Sequence, residues 1–134
     1  MPTLTRWFIK TALVYFILAL MAGIFSAASD LPGIFPIYIH LLVEGWITLL
    51  IIGVVFWMFP KFSRDLPRGS EKLGWATYTL LNAGLLLRVV SEPISAIWNP
   101  PGYFWGILLV LSASLQWLGG MAFVINTWGR VKEK

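Results

Sequence analysis

The sequence predicts an all-α integral membrane protein, an up-down bundle of four transmembrane helices that forms a single domain over residues 1–134. Three observations predict this fold. The chain is 58% hydrophobic and only 12% charged, whereas about a quarter of the residues of a soluble domain are charged. It contains four apolar stretches long enough to span a bilayer. The connections between them are short, which favours antiparallel neighbours.

Charged and turn-forming residues set the limits of the four spans. Pro60 follows the second span, and Glu92 and Pro93 are expected to end the third. The NPPG sequence at 99–102 separates the third span from the fourth. Arg6 and Lys10 before an apolar stretch imitate a signal peptide, but the uncharged run that follows is long enough to span. The predicted spans cover about residues 7–28, 36–57, 73–91 and 103–128.

The basic residues predict the orientation of the bundle. Two precede the first span, four lie between the second and third, and three follow the fourth, so nine of the ten share one side. The positive-inside rule assigns that side to the cytoplasm, together with both termini. The net charge of +4 is therefore a topology signal, and we expect no nucleic-acid partner. The nine residues are Arg6, Lys10, Lys61, Arg64, Arg68, Lys72, Arg130, Lys132 and Lys134.

Ionisable residues inside the spans are the candidates for a functional site. His40, the only histidine, and Glu44 lie in the second span, Arg88 lies in the third, and Glu92 lies at its outer edge. Each such residue costs about 2.5–3.5 kcal/mol on insertion scales, so it needs a reason to be there. At about 1.5 Å per residue, His40 and Arg88 both lie about 6 Å below the outer boundary, and Glu44 lies about 12 Å below it. The sequence therefore predicts that His40 and Arg88 share a depth.

Helical spacing predicts one face on each of these two spans. Gly84 lies one turn below Arg88, where it either admits a flat ligand or lets two helices approach closely. On the second span the predicted face consists of His40, Glu44, Ile47, Ile51, Val55 and Met58. On the third it consists of Thr77, Leu81, Gly84 and Arg88, with Glu92 above them.

Each polar residue also has a simpler interpretation. Arg88 can pair with Glu92 at i+4 or reach the outer headgroups, and His40 can hydrogen-bond to a neighbouring helix. Glu44 can be protonated or paired with Arg88 and serve packing alone. His40 and Glu44 can also bind one metal ion directly, with an oligomer completing the ligand shell. The absence of cysteine excludes disulfides, thiolate metal sites and covalently attached c-type heme.

The segment IYIHLLVEGWITLLIIGVVFWMFPKFSR resembles part of the catalytic subunits of heme-copper oxidases and nitric oxide reductases. In that family a helix entering from the outer face carries a heme-ligating histidine near its start. A four-helix chain with both termini inside is also similar to one of the three four-helix arcs of those subunits. The matching positions are His40, Gly45, Trp46, Gly53, Trp57, Pro60 and Lys61.

The resemblance implies a non-covalent heme b with His40 as axial ligand of the iron. It also implies that Arg88 binds the propionates, that Gly84 makes room, and that Glu44 acts beside the heme or carries protons. With one histidine per chain, such a heme would be five-coordinate, would use a weak sixth ligand such as Met21, or would take a second His40 from another subunit. The implied role is electron transfer, or binding or reduction of O2 or NO; an enzyme of this kind would be a heme-dependent oxidoreductase.

The same resemblance suggests a homotrimer, which would rebuild a twelve-helix body, although a dimer is the commoner symmetric oligomer. A redox partner and a bacterial or archaeal cytoplasmic membrane would accompany it. Two other functions stay open. Small multidrug-resistance proteins also have four short helices and a membrane glutamate, so Glu44 could serve an oligomeric proton-coupled transporter. The chain could also be a structural or assembly subunit of a respiratory complex.

Overall fold

The computed structural model describes residues 1–131 and contains four long helices within them. Each is long and apolar enough to cross a membrane, so the predicted all-helical chain with four candidate spans is confirmed. Lys132 and Lys134, which contribute to the predicted orientation, lie outside the described residues. The helices are α1, Thr3–Ala28; α2, Ile34–Met58; α3, Glu71–Trp98; and α4, Phe104–Trp128.

Local sequence explains several helix ends. Ser70 precedes α3, and its hydroxyl accepts a hydrogen bond from the Leu73 amide at 3.4 Å, as an N-cap residue does. Gly33 precedes α2 with a φ of 83°, a left-handed conformation that glycine adopts without strain. Asn99 ends α3 with a φ of 37°, and asparagine is among the residues that tolerate this region.

Pro93 does not end α3, contrary to the expectation from sequence. The helix continues through it to Trp98, although a proline inside a helix removes one backbone hydrogen bond. In a membrane span, neighbouring helices and local adjustments can satisfy the freed backbone group. The start of α2 packs here, because a Cβ atom on Gly33 would lie 2.8 Å from the Cβ atom of Ala96 and 3.1 Å from the Cα atom of Pro93. The extra turns of α3 therefore support the start of α2.

The middle of α2 is a π-helix. It begins directly after His40 and includes Glu44. Within it the Thr48 hydroxyl donates to the carbonyl oxygen of Val43, five residues earlier, at 2.9 Å. π-Helical turns are rare and often lie at functional sites. Along α2 the segments are α-helical Ile34–His40, π-helical Leu41–Thr48 and α-helical Leu49–Met58.

The wider π-helical turn changes which residues of α2 share a face. Of the predicted face, Ile47, Ile51 and Met58 are exposed, and only His40 and Glu44 take part in a polar site. The predicted face of α3 does form, since Thr77, Leu81 and Gly84 are buried. The face that α2 packs into the protein instead consists of Ile37, Leu41, Gly45, Leu49, Ile52, Gly53 and Phe56.

Contacts run in opposite order along consecutive helices. On α1 and α2, Phe8 lies beside Gly53 and Tyr15 lies beside Gly45, so these two helices are antiparallel. The π-helix puts Gly45 close to Tyr15, because a Cβ atom there would lie 2.9 Å from the Tyr15 ring. The helices α3 and α4 are antiparallel as well, from the pairs Gly74–Asn126, Leu81–Gly119 and Gly84–Ser112.

The core lies between α1, α2 and α3 and is built around aromatic rings. Phe8 is fully buried, with its ring centroid 5.6 Å from that of Phe56 and 5.1 Å from that of Tyr78. Many large apolar side chains, such as Ile24 and Ile125, are exposed instead. Such a surface would be costly in water and suits the hydrocarbon of a lipid bilayer.

Candidate functional site

His40 and Arg88 meet between α2 and α3, with 3.0 Å between His40 Nε2 and Arg88 Nη1. They lie near the start of α2 and in the second half of α3, at what we call the histidine end of the bundle. The opposite end, which carries Arg6, Lys10 and the 59–70 loop, is called the basic end. Because a guanidinium can only donate, the imidazole accepts here through the lone pair of Nε2. The contact confirms the predicted shared depth of these two residues.

Glu92 completes a cluster with these two side chains. Its Oε2 atom lies 3.7 Å from His40 Nε2 and 3.9 Å from Arg88 Nη1. The side chains of His40, Arg88 and Glu92 are 31%, 19% and 20% exposed. The simpler interpretation of Arg88, a pair with Glu92 on its own helix, is therefore present. That interpretation is incomplete, because the Arg88 guanidinium also forms a hydrogen bond with His40 on α2.

Four atoms of the histidine end lack hydrogen-bond partners, and one of them is the Ser91 hydroxyl. Glu44 lies one turn deeper in α2, and its Oε1 atom is buried and unpaired. The Nε atom of Arg88 and the Oε2 atom of Glu92 are buried and unpaired as well. An unpaired buried polar group costs about 1–3 kcal/mol, so most such groups have a partner. The cluster therefore has unused hydrogen-bonding capacity for a further polar group.

Gly84 lies where α3 and α4 approach each other. A Cβ atom on it would lie 2.7 Å from the Cγ atom of Gln116 and 2.9 Å from the carbonyl oxygen of Ser112. The Ser112 hydroxyl also donates to the Gly84 carbonyl oxygen at 2.7 Å. Of the two interpretations of Gly84, these contacts support close helix packing, and they leave no room there for a flat ligand.

Met21 lies on the exposed face of α1, with 60% of its surface accessible. The buried face of the same helix carries Ala19, which is about 200° away around the helix at about 100° per residue. Met21 instead lines a surface groove with Phe25 and Ala28. The structure therefore does not bring Met21 to His40.

The glycines that carry the resemblance have packing roles. Gly45 lies against Tyr15, and a Cβ atom on Gly53 would lie 2.9 Å from the Cβ atom of Phe8. Trp46 packs on Phe16, with 4.2 Å between the ring centroids. Helix packing is therefore a sufficient reason for these three residues, and no ligand is needed to explain them. Of the positions that carry the resemblance, His40 is the one that bears on heme binding.

The histidine end fits a heme in part. A neutral imidazole with an exposed side can bind iron, and the unpaired Arg88 Nε suits a carboxylate such as a propionate. Iron at His40 Nε2 would take the lone pair that Arg88 now shares, which would release the guanidinium. The space beside Gly45 and Gly84 is filled, so a planar group would approach His40 from its exposed side. For direct metal binding, residues 1–131 contain no group of three or more His, Asp or Glu side chains placed to hold an ion.

Sequence reasoning missed a buried arginine at the basic end. Arg130 is 1% exposed, and it donates hydrogen bonds to the carbonyl oxygens of Phe59 at 2.8 Å, Pro60 at 3.0 Å and Phe56 at 3.4 Å. It thus satisfies carbonyls at the end of α2, which have no partner within the helix. Burial, and then the positive charge of Arg68, lowers the pKa of Arg130, yet a guanidinium stays charged at neutral pH. No sequence spacing signals these contacts, which join residues 70 to 74 positions apart in the chain.

Three side-chain amides inside the helices make hydrogen bonds, two of them between segments and one within a helix; they belong to Asn82, Asn126 and Gln116. Asn82 accepts from the Tyr15 hydroxyl across α1 and α3 at 2.9 Å. Asn126 accepts from the Ser70 amide at 2.8 Å and donates to its carbonyl oxygen at 3.1 Å. Gln116 instead donates to Ser112 within α4, at 3.4 Å.

The fold and this cluster define a helical protein with four candidate membrane spans and a His–Arg–Glu cluster between two of them. The chain matches no protein-family model, no curated protein and no solved structure. The similarity of residues 37–64 to heme-copper oxidase subunits therefore stays a prediction from sequence.

Proposed function

We propose that the chain is an up-down four-helix membrane bundle with both termini on the cytoplasmic side of a bacterial or archaeal membrane. The antiparallel contact order supports the bundle topology, and the nine basic residues that share one side support the orientation. On this orientation the histidine end faces outward. Fusion of a reporter after residue 100 or at the C-terminus, read by alkaline phosphatase and fluorescent-protein activity, tests it. Phosphatase activity at the C-terminus would contradict the orientation.

We propose further that the protein binds heme b non-covalently, with His40 as an axial ligand. The observation that carries this proposal is the contact between His40 and Arg88 at one depth, with the imidazole partly exposed. In this contact a side chain that can bind iron lies beside a cation suited to a propionate. A bound heme supplies an iron that exchanges an electron or binds a diatomic gas such as O2 or NO.

Four residues of the histidine end would have separate roles in binding the heme. His40 would bind the iron through a ring nitrogen, and Arg88 would turn from the imidazole to a propionate. Glu92 would keep Arg88 in place through their i,i+4 pair. Glu44, whose carboxyl lies half-buried one turn deeper, would set the polarity beside the group or exchange protons there.

One chain supplies one histidine, so a heme ligated by two histidines needs a second copy. This favours a homo-oligomer, a dimer or a trimer, in which the exposed sides of two His40 residues approach each other. Native mass spectrometry in detergent, with and without added heme, measures the number of chains and hemes per particle. A strict monomer with bound heme would leave the second axial position to another group.

Absorption spectroscopy tests heme binding. We expect the purified protein, titrated with hemin, to give a sharpened Soret band that saturates at a fixed stoichiometry. His40→Ala should lose this band, whereas Arg6→Ala, which removes an exposed arginine at the basic end, should keep it. Arg88→Ala should weaken heme affinity but leave the band position unchanged. A Soret band identical in wild type and His40→Ala would refute His40 as ligand, and no saturable band would refute heme binding.

A further inference from the structure

Polar side chains of α1, α2 and α3 lie at intervals between the histidine end and the basic end. From these we propose that α1, α2 and α3 enclose a proton-exchange path between a cavity at the basic end and the Glu44 carboxyl. The path is about as long as a bilayer is thick. From Ser70, at the start of α3, to Glu92 the helix rises about 33 Å at about 1.5 Å per residue. This proposal goes beyond heme binding and does not depend on it.

The path begins at a polar cavity of about 120 Å³ between the starts of α1 and α3. Thr5 lines it, is fully buried, and has an Oγ1 atom without a hydrogen-bond partner. A cavity of this size with polar walls has room for several water molecules. Water there would supply the partner that Thr5 lacks. The other polar residues of the wall are Thr3, Arg68, Ser70, Glu71 and Asn126.

Two hydrogen-bonded pairs follow, one helical turn apart on both α1 and α3. The hydroxyls of Thr11 and Tyr78 lie 2.7 Å apart. The Tyr15 hydroxyl donates to Asn82 Oδ1 at 2.9 Å, and the Asn82 amide donates to the Tyr78 carbonyl oxygen at 2.8 Å. A hydroxyl can accept one proton while it donates another, so Thr11, Tyr78 and Tyr15 can relay a proton. Asn82 positions Tyr15. In the proposed relay a water would bridge the turn between the two tyrosines, and the Tyr15 hydroxyl would turn its proton from Asn82 toward Glu44.

Glu44 lies at the end of this series. The backbone of Gly45, its neighbour, packs on the Tyr15 ring, which brings this part of α2 against the second hydrogen-bonded pair. The Glu44 Oε1 atom is buried and unpaired, so it has a free position for a proton or a donor. Intramembrane carboxyls in such surroundings commonly exchange protons. The titratable groups of the helices packed around Glu44 are Tyr15 on α1 and the His40, Arg88 and Glu92 cluster of α2 and α3.

The Glu44 carboxyl lies one turn deeper than the His40 and Glu92 side chains, which are partly exposed at the histidine end. A proton that enters at the cavity would pass along the hydroxyls to the Glu44 carboxylate. It would leave toward the histidine end when the carboxyl ionises again beside Arg88. Each hydroxyl ends the cycle in its original protonation state, so the net event is one proton moved.

Proton flux into vesicles tests the path. The full-length protein without heme is reconstituted into phospholipid vesicles that contain a pH-sensitive dye, with valinomycin and potassium to compensate charge. After an external acid jump, wild-type vesicles should acidify faster than protein-free vesicles. Glu44→Gln and Tyr15→Phe should lower the rate to that of protein-free vesicles. Tyr103→Phe, which removes an exposed hydroxyl far from the path, should keep the wild-type rate.

Circular dichroism of each variant shows whether it retains its helices, and Tyr78→Phe replaces Tyr15→Phe if that variant unfolds. A wild-type rate equal to that of protein-free vesicles overturns the proposal. So does a wild-type rate in folded Tyr15→Phe or Tyr78→Phe. A hemin titration on the same preparation reports heme binding separately, since a lost Soret band with intact flux, or the reverse, assigns failure to one proposal only.

Discussion

Arg88 reaches from α3 to His40 on α2, with Nη1 3.0 Å from Nε2 although 48 positions separate them in the chain. This is the shortest polar contact between the two helices at the histidine end. Because Glu92 holds the same guanidinium from its own helix, the contact fixes the relative height of α2 and α3. Any ligand that binds to His40 Nε2 therefore has to compete with the Arg88 guanidinium for the lone pair of that nitrogen.

A double-mutant cycle measures the value of this contact. We expect His40→Ala and Arg88→Ala to show a coupling of about 0.6–1.7 kcal/mol, the range found for hydrogen bonds between membrane helices. The free energy of unfolding in detergent mixtures of increasing SDS fraction gives each corner of the cycle. His40→Ala combined with Arg6→Ala should be additive, since the two residues lie at opposite ends of the bundle. Additivity for the His40–Arg88 pair would show that the contact contributes nothing.

A single methyl group at Gly84 should separate α3 from α4. Gly84→Ala places a Cβ atom 2.7 Å from the Gln116 side chain and 2.9 Å from the Ser112 backbone. Overpacking of this kind costs about 1–3 kcal/mol, measured as a lower free energy of SDS unfolding. Gly120→Ala is the matched control, because no atom lies within 4 Å of its Cβ position. Equal stability of the two variants would contradict the close approach of the helices.

Loss of Arg130 should destabilise the protein at its basic end. In the sequence this residue is only one of the basic residues that predict the orientation, but in the structure it is buried. Arg130→Ala removes donors from three carbonyl oxygens of residues 56–60. Hydrogen bonds from charged groups are worth about 1.5–3 kcal/mol, so we expect a loss of about 2 kcal/mol in unfolding free energy. Arg130→Lys should recover part of it. Arg64→Ala, which removes an exposed arginine of the same end, should change little; a similar loss there would attribute the effect to surface charge.

Asn126 should be replaceable only in part by aspartate. Its amide accepts from the Ser70 amide and donates to the Ser70 carbonyl oxygen, whereas an ionised carboxylate can only accept. We expect Asn126→Leu to lower the unfolding free energy by about 1–3 kcal/mol and Asn126→Asp to lower it less. Hydrogen exchange of the Ser70 amide, followed by mass spectrometry, should quicken in Asn126→Leu. Unchanged exchange in that variant would show that the amide does not depend on Asn126.

Much of the helical layout follows from the sequence because it depends on local properties. Apolar length and the positions of charges predict the four helices to within a few residues, except at Pro93. There the expectation fails because α3 continues through the proline and packs against the start of α2, and this contact joins residues far apart in the chain. The contact of His40 with Arg88 was predictable because two antiparallel helices share a boundary from which depth can be counted.

Other features were not predictable because they depend on how the helices fit together. The α-helical period assumed for α2 does not hold through the π-helix, so Ile51 and Met58 are exposed. Gly84 allowed two interpretations until the position of Gln116 showed which one the packing supports. The roles of Tyr15 and Arg130 need contacts across distant parts of the chain, and a hydroxyl or guanidinium in the sequence does not reveal its partner.

Arg130 also has a consequence for the order in which the chain acquires its structure. The carbonyls that it satisfies belong to residues 56–60, which leave the ribosome long before it does. Until residue 130 has been synthesised, the end of α2 must rely on water or headgroups for these hydrogen bonds. A chain interrupted shortly before that residue would contain all four apolar helices but would lack the side chain that hydrogen-bonds to the carbonyl oxygens at the end of α2.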